Sequence, residues 1–266
     1  MPSHLSDIGF DFDTDEEFSE LAYLAYERGA RLRVEQGVYL NWSPGEGVEI
    51  WGQLDLEENF IGLNPHFAGD SVISVGLTAR LERPDASVLD GAFHCWASPS
   101  GDDAESGHYP FVFDAPDFRL CDSVKLPSIV EAQIAAFAHE LSAFESEEAY
   151  YASQSEESKF AAESFLPSGL FTADLESVES PQAHAILTGH VLNTALRINP
   201  VTKSEFLWAK VQTYGAVFDV VADPLIVDGP VVEGGIVHGA FWLSGRLENS
   251  DRKIRSNLLQ RVFRRA

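Results

Sequence analysis

Among the apolar stretches of the chain, residues 235–247 have the densest run of glycine, aromatic and β-branched residues. This pattern predicts a strand. Glycine contributes no side chain to a strand, so Gly235, Gly239 and Gly245 predict a bulge, a sharp bend or the close approach of another backbone. Such features are typical of a small barrel.

The first helix is predicted over residues 14–29. Thr14 and Glu17 have the spacing of a capping box, and Gly29 is placed to end the helix in the left-handed conformation. One face of this helix is apolar and would be buried. The residues on that face are Phe18, Leu21, Ala22 and Ala25.

The remainder of residues 1–126 predicts strands and turns. Apolar and acidic residues alternate over 7–13, which predicts a half-buried strand before the helix. Residues 62–67 are predicted as a turn that carries aromatic and imidazole groups. Further strands are predicted at 30–34, 38–42, 48–55, 71–81, 91–96 and 109–114. Residues 1–126 therefore predict an α+β domain with a largely antiparallel sheet and a capping helix.

A helical connector and linker are predicted over residues 127–180. Five apolar residues recur at intervals of four and three, which places them on one stripe of a helix. They are Val130, Ile134, Phe137, Leu141 and Phe144. A second, more polar helix is predicted over 147–164, and a linker near 175–181.

Residues 181–247 are predicted to be entirely β. Strands are expected at 183–194, 204–213, 216–222 and 235–247, with a glycine bend at Gly189. This pattern resembles an OB-type small barrel, which implies a curved, OB-like C-terminal β-barrel. Residues 248–266 are predicted as a basic tail.

Residues 5–63 resemble one module of the vicinal-oxygen-chelate (glyoxalase-like) superfamily. The resemblance lies in the predicted order of strand, helix and three strands. In that family two modules form a metal site from His and Glu side chains on the strands. The resemblance therefore implies His4 and Glu49 as the positions to test.

The chain is strongly acidic, with 42 acidic and 18 basic residues and a formal net charge of −24. Residues 246–266 hold seven basic and two acidic side chains, so residues 1–245 carry a net charge of −29. Affinity for nucleic acid depends on neutralising phosphates with Lys and Arg. The charge therefore disfavours nucleic acid as a ligand.

The sequence predicts a reduced, cytoplasmic protein. The two cysteines, Cys95 and Cys121, do not have the paired spacing of a zinc site or a redox motif. The chain begins without a signal-peptide pattern and has no apolar run long enough to cross a bilayer. We therefore expect neither secretion nor membrane insertion.

Common catalytic motifs are missing from the sequence, including the P-loop and the zinc-protease motif HExxH. An apolar pocket with a few polar groups is predicted from the aromatic and imidazole side chains of the first domain. The predicted ligand-binding residues are Trp51, His66, Phe93, His94 and Trp96. A metal site formed by Glu49, His66 and His94 is the alternative.

The sequence thus favours an acidic binding or accessory protein, with a cleft for a small molecule or a protein between its two β regions. No motif indicates a cofactor, and whether the protein is an enzyme stays open. One alternative is a metal-dependent enzyme of the vicinal-oxygen-chelate type. A second is single-strand nucleic-acid binding by residues 181–247. The sequence also leaves open a homo-oligomer.

Overall fold

The computed structural model describes residues 4–12, 14–155, 159–170 and 181–248. Within these residues the chain is mostly β with few helices, and its strands form two sheets. None of the described helices is long and apolar enough to cross a membrane. Most of the predicted linker near 175–181 and most of the predicted basic tail lie outside the described residues.

The N-terminal segment is a short 3-10 turn, Ser6–Ile8, and not the predicted strand. The alternating acidic positions were misleading because Asp7 is buried, with its carboxyl accepting a hydrogen bond from the backbone N–H of Asp223. Helix α1 (Asp15–Arg28) follows as predicted, and both halves of the capping box with Thr14 are present. Gly29 is extended rather than left-handed, because the chain passes directly into the first strand.

The first sheet is an antiparallel meander of four strands in sequence order. Its strands are β1 (Ala30–Val34), β2 (Gly37–Gly45), β3 (Val48–Leu54) and β4 (Phe60–Phe67). The prediction of a turn at 62–67 is wrong, because these residues belong to β4. Pro65 is compatible with this strand because β4 is at the edge of the sheet, where proline is tolerated.

The second sheet has ten strands. They are β5 (Val72–Leu81), β6 (Ala92–Ala97), β7 (Pro110–Asp114), β8 (Ser128–Phe144), β9 (Ser164–Leu166), β10 (His184–Ile198), β11 (Glu205–Thr213), β12 (Ala216–Ala222), β13 (Val227–Asp228) and β14 (Ile236–Leu247). Helix α2 (Glu147–Ser153) follows β8 and is shorter than the helix predicted over 147–164. This one sheet takes strands from each of the three predicted divisions of residues 1–247.

Strand β8 replaces the long helix predicted in the connector. Ile134 packs in the main core, whereas Phe137 belongs to a second buried cluster, so the predicted apolar stripe is divided between two sides of a strand. Both faces of β8 are buried, and such strands lose the alternation of apolar and polar residues. The alanine-rich run over 132–138 therefore has the spacing of a helix and the structure of a strand.

Strand pairing continues in a closed path through β10, β11, β12, β8 and β14, which pairs again with β10. Strand β8 is essential to this path and comes from outside residues 181–247. A separate OB-like barrel formed by residues 181–247 is therefore not confirmed.

The glycines of β14 allow close contact with β8, as the sequence predicts. A Cβ atom at Gly239 would lie 2.2 Å from the backbone oxygen of Glu140. The register between these two strands shifts between Ala240 and Phe241, which leaves His139 as the extra residue of a β-bulge. The bulge thus places an imidazole beside the centre of β14.

The two sheets meet through one face of β8 and β14. Gln133, Ser244 and Arg246 lie on this face and contact side chains of the first sheet. Helix α1 packs elsewhere on the first sheet, where Leu21 shares a buried cluster with Ile50. The contact between the two sheets positions the candidate site.

Candidate functional site

A buried polar layer lies between the two sheets. It consists of Glu49 on β3, His66 on β4, Gln133 on β8, and Ser244 and Arg246 on β14. Each of these residues is at most 8% exposed. Residues two apart on a strand face the same side, which places Ser244 and Arg246 together.

Arg246 is the cation of this layer and bridges two carboxylates. Its Nη1 lies 3.3 Å from Oε2 of Glu49, and its Nε lies 3.3 Å from Oδ2 of Asp117. The guanidinium is 4.7 Å from the ring centre of Trp51, whose Nε1 donates to Glu49 Oε2 at 2.9 Å. The ion pair with Glu49 joins β14 to the first sheet, and removing either partner would leave a buried charge uncompensated.

His66 connects the same layer to β8. Its Nε2 lies 2.8 Å from Oε1 of Gln133, and its Nδ1 lies 2.9 Å from Oγ of Ser244. The carboxamide oxygen can only accept, so Nε2 of His66 carries a proton and donates to Gln133.

A cavity of about 120 Å³ opens beside this layer. Ser244 belongs both to the polar layer and to the cavity lining, and its hydroxyl contacts His66. The cavity lies where β4 meets the end of β7, the segment before β6 and the middle of β14. Its lining residues are Asn64, Arg83, Ala86, Asp90, Gly91, Asp114, Ala115, Pro116, Trp242 and Ser244.

Asp114 is the first of the two cavity carboxylates and has a cationic partner. Its Oδ1 lies 2.7 Å from Nη1 of Arg83. Its Oδ2 accepts a hydrogen bond from Nε1 of Trp242 at 2.6 Å. The ion pair with Arg83 neutralises Asp114 within the cavity.

Asp90 is the second carboxylate, and its hydrogen-bond donors in the described part of the chain are neutral. Its Oδ1 accepts from Nε2 of Gln53 at 2.6 Å and from Nδ2 of Asn64 at 2.7 Å. Its Oδ2 accepts from the backbone N–H of Ser87 at 3.2 Å. The two carboxylates and one guanidinium of the lining therefore sum to a charge of −1.

Three histidines lie beside Trp242. They are His4, His139 and His184, and we call them the imidazole cluster. The ring centre of His4 is 4.3 Å from the indole of Trp242, in a stacked geometry. The centre of His139 is 5.0 Å from that of His4 and 5.4 Å from that of His184. His184 lies directly opposite Trp242 in the pairing of β10 with β14.

Burial keeps the imidazole cluster uncharged near neutral pH. Loss of solvation and the neighbouring imidazoles lower the pKa of His4 to about 4. Burial also lowers the pKa of His139 and of His184. Burial disfavours the charged form of an imidazole, and nearby imidazolium ions would repel one another.

The residues predicted to bind ligand do not form one pocket. Trp51 and His66 lie on the face of the first sheet that meets the second sheet. Phe93 packs in the main core, with its ring centre 5.3 Å from that of Phe118. His94 contacts the hydroxyl of Thr78 at 2.6 Å, and Trp96 shares the face of β6 that carries His94.

The residues predicted as metal ligands have separate partners. Glu49 binds Arg246, and His66 lies between Ser244 and Gln133, whereas His94 contacts another strand. His4 stacks on Trp242, which precedes Arg246 by four residues on β14. Four residues of a strand span about 13 Å, so His4 is far from the point where Glu49 contacts Arg246. Within the described ranges, no group of three His, Cys, Asp or Glu side chains is placed to hold a metal ion.

Sequence reasoning missed the cavity residues Arg83, Asp90 and Asp114. One signal was present for the layer beside them, because Ser244 and Arg246 are polar positions at a spacing of two in the mostly apolar second half of β14. Such positions indicate a polar partner on the facing sheet. Nothing comparable distinguishes Asp90 and Asp114 from the other acidic residues.

Comparisons with known proteins identify no family for this chain. No protein-family model, no curated protein and no solved structure matches it significantly. The functional argument therefore rests on the geometry of the cavity and the groups around it.

Proposed function

We propose that this protein binds a small organic cation in the cavity between its two sheets. The observation that carries the proposal is Asp90, a carboxylate at the cavity whose three donors are neutral. Arg83, the cation in the lining, is paired with Asp114. A bound ammonium or guanidinium group would give the Asp90 carboxylate a positively charged hydrogen-bond donor.

The cavity offers further groups that suit a small ligand with N–H donors. The Asp114 carboxylate and the Asn64 carboxamide have oxygen atoms that accept hydrogen bonds. Trp242 adds an aromatic surface, to which cations are attracted. A volume of about 120 Å³ limits the ligand to a small molecule.

The overall charge of −24 also favours cations, because it raises their local concentration at the surface. The proposed compartment remains the cytoplasm, which the buried free thiols of Cys95 and Cys121 support. The proposal therefore keeps the binding function that the sequence favours and adds the ligand class, a small organic cation.

The test is a titration of the isotope-labelled full-length protein with methylammonium, guanidinium and acetate at low ionic strength and pH 7.5, followed by NMR. We expect the two cations to shift resonances of the cavity residues and acetate to leave them unchanged. Asp90→Asn should weaken cation binding at least tenfold. The matched control is Asp85→Asn, which removes an exposed carboxylate on the same segment and should change affinity less than twofold.

Two results would contradict the proposal. One is equal binding by acetate and methylammonium, which would show that charge does not select the ligand. The other is unchanged cation affinity in Asp90→Asn, which would remove the observation on which the proposal rests.

A further inference from the structure

The imidazole cluster and the proposed cation site share one wall, the side chain of Trp242. His4 stacks on its indole, while Nε1 of the same indole donates to Asp114 in the cavity. We propose that protonation of the imidazole cluster in mild acid releases His4 from Trp242 and lowers the affinity of the cavity for cations. The second half of this inference rests on the proposed function, and the first half does not.

The residues that directly follow His4 are held in the core. Leu5 and Ile8 are buried, and the backbone oxygen of Ile8 accepts a hydrogen bond at 2.7 Å from Nδ2 of Asn199. The segment from residue 5 onward is therefore anchored. We therefore place the proposed release at His4, with its imidazole entering water.

The charged groups near the cluster cannot neutralise three imidazolium ions. Glu140 favours the charged form of His139, and Asp114 favours the charged form of His184. Arg83 opposes the charged form of His184 and is already paired with Asp114. Among the described residues, the other aromatic rings in contact with His4 are those of Phe137 and Trp242, which carry no charge. Protonation therefore adds net positive charge beside the cavity.

Proton uptake favours the released state because solvation restores the ordinary basicity of an imidazole. For each imidazole of the cluster that gains a proton when His4 leaves, the ratio of released to stacked protein can rise by up to about tenfold per pH unit below pH 6.5. If all three imidazoles participate, the transition is steeper than that of a single proton. A cation in the cavity would meet this new positive charge and bind less tightly.

The first experiment uses the full-length protein without ligand. The indole Nε1–H resonance of Trp242, assigned with Trp242→Phe, is followed by NMR from pH 7.5 to 4.5. We expect it to move in acid with a midpoint below pH 6.5. In His4→Gln we expect the resonance at pH 7.5 to lie near the acid position of the wild type and to change little with pH.

The matched control for this experiment is His108→Gln, which removes an exposed imidazole far along the chain and should leave the transition unchanged. A wild-type resonance that does not move between pH 7.5 and 4.5 would overturn the release of His4. The same would follow if His4→Gln and the wild type had identical pH profiles.

The second experiment measures methylammonium affinity at pH 7.5 and 5.0. We expect the wild type to lose at least tenfold in affinity, and the triple variant His4→Gln, His139→Gln, His184→Gln to lose less than threefold. Equal losses in both proteins would refute the link to the cavity. If methylammonium does not bind at either pH, the proposed function fails, while the indole resonance still decides whether acid releases His4.

Discussion

Asp7 makes the stability of the fold depend on pH in a direction opposite to that of most carboxylates. Its side chain is 1% exposed, and its Oδ1 accepts from the backbone N–H of Asp223 at 3.0 Å. Burial raises its pKa from 3.8 to about 8. The folded protein therefore keeps this carboxyl protonated at neutral pH, whereas the unfolded chain releases the proton.

The sign and size of the effect follow from proton linkage. A raised folded-state pKa contributes stability that is complete below about pH 4 and is lost as the pH rises toward 8. Between these limits the loss is about 1.4 kcal/mol per pH unit. Asp7→Asn keeps the accepting oxygen and does not titrate. Its free energy of unfolding, relative to wild type, should rise by about 3 kcal/mol between pH 5 and 7.

The assay is urea unfolding of both proteins at pH 5, 6 and 7, monitored by far-UV circular dichroism. Taking the difference between the two proteins cancels the titration of the groups that they share. Asp11→Asn, which removes an exposed carboxylate nearby, is the control and should show a difference that does not depend on pH. If the difference in free energy of unfolding between Asp7→Asn and wild type stays constant from pH 5 to 7, the reasoning is refuted.

Two further predictions concern the contact of the sheets and the pairing of the central strands. Arg246→Ala removes the guanidinium that bridges Glu49 and Asp117 and should lower the free energy of unfolding in urea by about 3–5 kcal/mol. A loss of stability below about 1 kcal/mol would contradict a role of Arg246 in joining the sheets. Gly239→Ala would place a Cβ 2.2 Å from the backbone oxygen of Glu140 and should cost about 1–3 kcal/mol, seen as a lower Tm. An unchanged Tm would show that β8 and β14 can move apart at this position without loss of stability.

The elements that the sequence predicts well are those specified by neighbouring residues. Helix α1 starts at the predicted capping box because Thr14 and Glu17 bond each other across one turn. Strand β1 and strand β12 have their predicted bounds, since short alternating runs between turn residues need no distant information. Local chemistry also predicts the close approach at Gly239.

Strand β8 shows where local pattern fails. Its apolar spacing fits a helix, and only pairing with β5, β12 and β14 makes it a strand. Those partners come from residues 72–77 and 219–247, far from β8 along the chain. A strand buried on both faces has no polar face to mark its period of two.

The candidate site divides in the same way. The sequence nominated Trp51 on a predicted strand and His66 in a predicted turn, because an aromatic residue and an imidazole are conspicuous in any chain. It could not nominate Asp90 and Asp114 from 42 acidic residues. Their role depends on which side chains the tertiary fold brings beside each of them.

The sequence by itself indicated an acidic α+β chain with one well-capped helix and a glycine-rich strand suited to a bulge, a bend or the close approach of another backbone. The tertiary structure decided that one sheet spans the predicted divisions and that a cavity forms where the two sheets meet. It also decided which carboxylate is paired with Arg83 and which is not. The physical reason is that the charge and solvation of a side chain depend on its neighbours in space, which sequence separation does not specify.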